Sequence, residues 1–151
     1  MRSLYIWLSR LIALGVVVQV LVIAWSAFDI QNKAGDGVPF TEDTEANIGA
    51  MLHSVIGMMV IPVLALLFGI VSFFAKVRGG AAMAWGVVGL VVLQIALAFA
   101  SFAAPVVGTL HALNAFAVAG LAGVAGSRAT KADPSVAAPA RSGDSGIPAS
   151  A

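Results

Sequence analysis

Two histidines, His53 and His111, are the side chains of this sequence best suited to bind a cofactor. Each directly follows a leucine and has a glycine on the preceding turn, Gly49 or Gly108. Neutral imidazoles bind transition metals, and two imidazoles at one level are what a six-coordinate haem iron needs from a protein. The pattern predicts a haem b site with His53 and His111 as its metal ligands.

Other polar and small residues are predicted to complete this site. Gln19 and Gln94 are expected to orient the imidazoles or to contact a haem propionate, and Asn114 to belong to the same polar layer. A porphyrin also needs flat space beside its ligands. That space is assigned to four small residues: Gly49, Gly57, Gly108 and Ala115.

An internal repeat predicts that the two histidines lie at a similar depth. Gln19 precedes Ser26 by the same spacing that separates Gln94 from Ser101, and a Leu-His pair follows in each next segment. We therefore expect two similar helical hairpins, with each histidine roughly 8 Å below the outer start of its helix. Polar side chains at that depth are costly in lipid and should face one another or a ligand.

Four apolar segments are long enough to carry these residues through a membrane. Of the 151 residues, 60% are hydrophobic and 10% are charged, whereas a soluble domain is roughly a quarter charged. Spanning a bilayer takes about 20 apolar residues. The segments are Leu4–Phe28, Ile48–Ala75, Ala81–Ala104 and Pro105–Ala125. The predicted fold is an all-α, four-transmembrane-helix, up-down-up-down bundle built from two similar helical hairpins, with a kink near Pro62.

Charged residues predict the orientation of this bundle in the bilayer. Seven of the eight Lys and Arg residues lie near one set of helix ends, and only Lys33 lies in the long loop 29–47. That loop carries the acidic residues Asp29, Asp36, Glu42, Asp43 and Glu45. The positive-inside rule then places both termini in the cytoplasm and loop 29–47 outside.

Residues 127–151 differ in composition from the rest of the chain. They are rich in Ala, Ser, Pro and Gly and have no apolar periodicity. We expect a four-helix transmembrane domain at residues 1–126, followed by a disordered cytoplasmic tail at residues 127–151.

The composition argues against several kinds of chemistry. The chain has no cysteine, which excludes disulfides, thiolate catalysis and cysteine-ligated clusters. The sequence contains no basic patch that would indicate nucleic acid as a partner, and it has no carboxylate within the apolar segments to accompany the histidines. The sequence leaves enzymatic activity open but favours an electron carrier or accessory subunit.

The four helices resemble a family of small uncharacterised four-helix bacterial membrane proteins and, more distantly, b-type membrane cytochromes. The resemblance rests on Gln19-Val20, His53 to Gly57, Gln94 and Leu110-His111. It implies the four-helix fold and a location in a bacterial inner (plasma) membrane. A haem near the outer side would exchange electrons with respiratory or other membrane-complex subunits or with a quinone. Larger cytochromes carry two histidine pairs, whereas this chain has two histidines in all, which limits it to one bis-histidine haem.

A second interpretation needs no cofactor. The His and Gln layer would then only lock the helices of a structural or accessory membrane subunit. Polar contacts between membrane helices are common and stabilise by about 0.6–2 kcal/mol each.

Overall fold

Helices make up nearly all of the described chain. A computed structural model describes residues 1–39, 41 and 47–131. In chain order its elements are α1 (Arg2–Gly35), α2 (Ile48–Val55), a π-helical turn (Ile56–Val60), α3 (Ile61–Ser72), α4 (Gly80–Ala103) and α5 (Val107–Lys131). No β-strand occurs in these residues. The prediction of an all-α fold is confirmed for them.

Four continuous helices result, because α2, the π-helical turn and α3 join into one helix, Ile48–Ser72, called here the second span. The four have 34, 25, 24 and 25 residues, and each is long and apolar enough to cross a membrane. About 20 residues suffice for that distance. The predicted number of membrane-spanning helices is therefore confirmed at the level of length and composition.

Two helices extend beyond their predicted ends. Helix α1 continues to Gly35, so the first part of the predicted loop 29–47 is helical, and an ion pair of 3.1 Å joins Lys33 to Asp29 one turn earlier. Helix α5 continues to Lys131, through the first residues of the predicted tail. The acidic residues Glu42, Asp43 and Glu45, and residues 132–151, lie outside the described residues.

The irregularity expected near Pro62 is a widened turn just before it. The backbone N–H of Ile61 bonds to the carbonyl of Ile56, five residues back. Proline has no N–H, and its ring clashes with the carbonyl four residues earlier in a regular α-helix. A π-helical turn at this point accommodates Pro62 within one continuous helix.

The apolar core occupies only one end of the bundle, which we call the Tyr5 end. Tyr5 is fully buried there, donates a hydrogen bond of 3.0 Å to the carbonyl of Gly80, and has its ring 4.5 Å from that of Phe68. The buried apolar residues come from four stretches: 5–16, 61–91, 118–125 and Ala129. Described residues between 17 and 60 and between 92 and 117 contribute none. The half of the bundle that carries both histidines therefore lacks a packed apolar core.

Helix contacts explain this difference between the two ends. Helix α1 packs against α5 and against the second span, and α4 packs against α5 and α3. In contrast to α3, α2 makes no extended contact with α4 or α5 among the described residues. Within the second span, α2 thus packs against α1 and lies apart from α4, whereas α3 packs against both α1 and α4.

A glycine and an asparagine attach α2 closely to α1. The Asn47 side chain caps α2 by accepting a hydrogen bond from the N–H of Ala50 (2.9 Å). It also donates a hydrogen bond to the carboxylate of Asp29 on α1 (2.7 Å). At Gly49, an added Cβ would lie 2.6 Å from the carbonyl oxygen of Val22 and 2.9 Å from the backbone nitrogen of Ser26. Only glycine permits this approach of α2 to the α1 backbone.

The variant Gly49→Ala should therefore destabilise the bundle. We expect the free energy of unfolding to fall by about 1–3 kcal/mol, because the added methyl group meets backbone atoms that cannot rotate away. Reversible denaturation in mixed detergent micelles measures this change. Gly89→Ala is the matched control, since nothing lies within 4 Å of a Cβ at that position. Equal stability of the two variants would contradict the proposed close approach.

Candidate functional site

The first predicted histidine is held against α1 by a reciprocal pair of hydrogen bonds. Nδ1 of His53 lies 3.2 Å from the backbone oxygen of Gln19, and the side-chain Nε2 of Gln19 donates to the backbone oxygen of His53 at 3.0 Å. Because a carbonyl oxygen only accepts, Nδ1 of the imidazole carries the hydrogen. The Nε2 of His53 then has a free lone pair.

The second histidine repeats this arrangement against α4. Nδ1 of His111 lies 3.0 Å from the backbone oxygen of Gln94, so the same tautomer results. In both cases the carbonyl that holds the ring belongs to the glutamine that the sequence analysis assigned to this site. The two predicted His and Gln pairs therefore come together as pairs, one between α1 and α2 and one between α4 and α5.

The two imidazole rings also lie close to each other. Their centroids are 6.2 Å apart and their planes are inclined by 58°. Metal–nitrogen bonds to imidazole are about 2 Å long, so two imidazoles that share one metal ion through Nε2 have centroids roughly 6 Å apart. The separation of His53 and His111 is compatible with one metal ion between them.

The site offers two imidazole nitrogens as metal ligands. In the described part of the chain, no group of three or more His, Cys, Asp or Glu side chains is close enough to hold a metal ion. A metal bound by side chains alone usually needs three or four ligands. Haem iron needs only axial ligands from the protein, and two histidines match that number.

The two histidines differ in how many of their imidazole nitrogens have hydrogen-bond partners. The side-chain Nε2 of Gln94 lies 3.1 Å from Nε2 of His111, to which it donates. Asn114, which is only 8% exposed, donates to Oε1 of Gln94 (2.6 Å) and to the backbone oxygen of Leu90 (2.9 Å). His111, Gln94 and Asn114 thus form a closed hydrogen-bond network, in which both imidazole nitrogens have partners.

The equivalent network around His53 is incomplete. Oε1 of Gln19 is buried and has no hydrogen-bond partner, and Nε2 of His53 makes no hydrogen bond within the described residues. The position three residues after the histidine, which is Asn114 in the second pair, is Ile56 in the first. Isoleucine has no donor for the glutamine oxygen, so this part of the layer keeps unused hydrogen-bonding capacity.

The three predicted glycines lie against neighbouring helices. Gly49 faces the α1 backbone, as described above. At Gly57, a Cβ would lie 2.9 Å from Nε2 of Gln19, so this glycine makes room for the amide that bonds to His53. At Gly108, a Cβ would make an ordinary contact of 3.7 Å with the hydroxyl of Ser101. Gly49 and Gly57 thereby position the Gln19 and His53 pair.

Two parts of the site were not foreseen from the sequence. One is the form of the irregularity near Pro62. A kink was predicted there, but the structure has a π-helical turn that begins three residues after His53. The other is the backbone oxygen of Leu90, which holds Asn114. No sequence pattern marks a backbone acceptor on another helix, because its position depends on how α4 and α5 pack.

Comparison of this chain with protein-family models, curated proteins and solved structures found no match. The resemblance to four-helix membrane proteins and b-type cytochromes therefore stays a prediction. The chemistry of the site has to be argued from the side chains themselves.

A double-mutant cycle tests the closed network of the second pair. Gln94→Leu and Asn114→Leu should show a coupling of about 0.6–1.7 kcal/mol in the free energy of unfolding, because they remove two partners of one hydrogen bond. Gln19→Leu with Asn114→Leu is the control, since no hydrogen bond joins those two residues. Equal couplings in the two cycles would show that the network contributes nothing specific.

Proposed function

We propose that this chain is a haem-b-binding integral membrane protein that serves electron transfer or a respiratory assembly. The observation that carries the proposal is the pair of neighbouring imidazoles, with centroids 6.2 Å apart and with Nδ1 of each bonded to a backbone carbonyl. His53 and His111 would bind the iron from its two sides through Nε2.

The surroundings of the histidines support this assignment. A metal-bound histidine almost always donates its other ring N–H to a carbonyl or carboxylate, which sets the tautomer and orients the ring. The backbone oxygens of Gln19 and Gln94 accept that hydrogen bond here. Each imidazole therefore already has the tautomer that leaves Nε2 available as a metal ligand.

The remaining residues set the conditions for electron transfer. A bound haem supplies a one-electron redox centre. Its potential depends on the axial ligands, on the hydrogen bonds to them and on the exclusion of water. His53 and His111 would provide two neutral nitrogen ligands, and the carbonyl oxygens of Gln19 and Gln94 would supply the hydrogen bonds to them. Ser54, next to His53, is exposed and makes no hydrogen bond that would support nucleophilic catalysis in the described chain.

We further propose an up-down-up-down bundle of two similar hairpins in a bacterial inner membrane. The matching His and Gln bonds in the two helix pairs support the internal repeat. The basic residues near the Tyr5 end support a cytoplasmic location for both termini, with loop 29–47 outside. The haem would then lie toward the outer face, where a quinone or another membrane-complex subunit exchanges electrons with it.

A cofactor-free structural subunit is the second candidate. The closed network of His111, Gln94 and Asn114 favours it, because a fully bonded polar layer stabilises helix contacts without any ligand. The unpartnered Oε1 of Gln19 argues against it, since a layer that served only as a lock would leave no buried acceptor unused.

A reduced-minus-oxidised visible spectrum of the detergent-purified protein tests the haem proposal. We expect a low-spin b-type signal with one haem per chain when haem supply during expression is adequate. His53→Ala and His111→Ala should each remove the low-spin signal and weaken haem binding by more than about 10-fold, because each removes an axial ligand.

Thr109→Val is the matched control for these two variants. Thr109 lies on the first turn of α5 and is exposed, and its hydroxyl donates to the backbone oxygen of Val106, the residue before the helix. Its variant should retain the full signal. A folded wild-type protein without any haem spectrum would instead support the structural subunit.

Cysteine labelling tests the proposed orientation, because the natural chain has no cysteine. Val38→Cys, beyond the end of α1, should react with a membrane-impermeant maleimide in intact cells. Ser127→Cys, in the last turns of α5, should react only after lysis. Both positions are exposed in the structure. The opposite pattern would place the termini outside.

A further inference from the structure

The two histidines of the proposed haem site differ in the hydrogen bonds of their Nε2 atoms. Nε2 of His111 accepts a hydrogen bond from Gln94, whereas Nε2 of His53 has no partner within the described residues. Nε2 is the nitrogen through which each ring would bind iron, because Nδ1 is already bonded to a carbonyl in both. Nε2 of His53 is therefore available to bind iron, whereas Nε2 of His111 is occupied by the hydrogen bond from Gln94.

From this difference we infer that the histidines bind iron in a defined order, His53 first and His111 second. The Gln94 side-chain amide occupies Nε2 of His111 through a hydrogen bond, and we call it the placeholder. This bond must break before Nε2 of His111 can bind the metal. The inference rests on the proposed haem function and adds to it the roles of Gln94 and Asn114 as residues that control ligation.

The hydrogen bonds of Asn114 hold the placeholder in position. Asn114 is buried and bonds to Oε1 of Gln94, which directs the Nε2 of the same amide toward His111. Gln19, the counterpart of Gln94, instead donates to the backbone oxygen of His53 and leaves the ring nitrogen uncovered. The same residue type thus covers one histidine and not the other, because only the second pair contains an asparagine.

Displacement of the Gln94 side chain leaves two of the four hydrogen bonds of this network intact. Asn114 also donates to the backbone oxygen of Leu90, and the carbonyl of Gln94 continues to hold Nδ1 of His111. The rearrangement therefore breaks the Gln94 side-chain bonds to His111 and Asn114 but keeps the ring oriented. A single interhelical hydrogen bond of this kind changes an equilibrium by roughly 3- to 20-fold.

Addition of hemin to haem-free protein in detergent tests the order. We expect two phases in the visible spectrum: a high-spin signal, as His53 alone binds, and then a low-spin signal, as His111 joins. In Gln94→Leu the second phase should be roughly 3- to 20-fold faster, because leucine cannot cover Nε2 of His111. Thr109→Val is the control and should leave the second phase unchanged, since the Thr109 hydroxyl bonds to the backbone oxygen of Val106 and to neither imidazole.

A measurement without haem examines the same difference directly. Diethyl pyrocarbonate acylates an uncovered imidazole nitrogen, and mass spectrometry of the peptides locates the product. His53 should be modified faster than His111 in the wild-type protein, and Gln94→Leu should bring His111 close to the rate of His53. In Thr109→Val the difference between the two histidines should persist.

The outcomes separate this inference from the haem proposal. Haem binding with a single low-spin phase, unaffected by Gln94→Leu, together with equal modification of the two histidines, would overturn the order and leave the haem site standing. Loss of the low-spin signal in Gln94→Leu would also overturn it, since Gln94 would then support ligation rather than delay it. A folded wild-type protein that binds no hemin would overturn both.

Discussion

The hydrogen bond from each imidazole Nδ1 to the backbone carbonyl of a glutamine on the neighbouring helix is the interaction on which the site depends. It joins His53 to α1 and His111 to α4, and it selects the tautomer that leaves Nε2 as an acceptor. In lipid a polar group without a partner is costly, so each helix pair satisfies its own histidine first. Whether Nε2 has a partner then depends on the remaining side chains of each helix pair: Gln94 donates to Nε2 of His111, whereas the Gln19 side chain donates to the backbone oxygen of His53.

Packing is divided along the bundle in a way that suits this site. Tyr5, Phe68 and other large side chains fill the Tyr5 end, where α3 contacts α4 and α1 contacts α5. Toward the histidines, α2 makes its extended packing contact with α1, and small residues such as Gly49 permit that contact. The packed end supplies stability, while at the other end the two imidazoles lie 6.2 Å apart, centroid to centroid, without a core of large side chains between the helix pairs.

Several features could be predicted from the sequence because they depend on composition and local spacing. The four apolar segments, the all-α class and the His and Gln layer follow from hydropathy and from equal depths in the helices. The helix ends were less predictable. Helix α1 continues through Asp29 and Lys33, whose ion pair stabilises one further helical stretch, and hydropathy does not detect such polar turns. The roles of Gly49 and Gly57 also depend on which face each helix presents to α1.

The sequence by itself determined that this chain has four membrane-length helices, because this property depends on residue type and on the 1.5 Å rise of a helix. Only the tertiary structure decided that the two histidines are not equivalent. Asn114 reaches Gln94 and Leu90 only through the packing of α5 against α4, whereas Ile56 occupies the corresponding place in the first pair. The physical reason is that a hydrogen bond requires a distance and an angle between side chains on different helices, and residue spacing along one chain specifies neither.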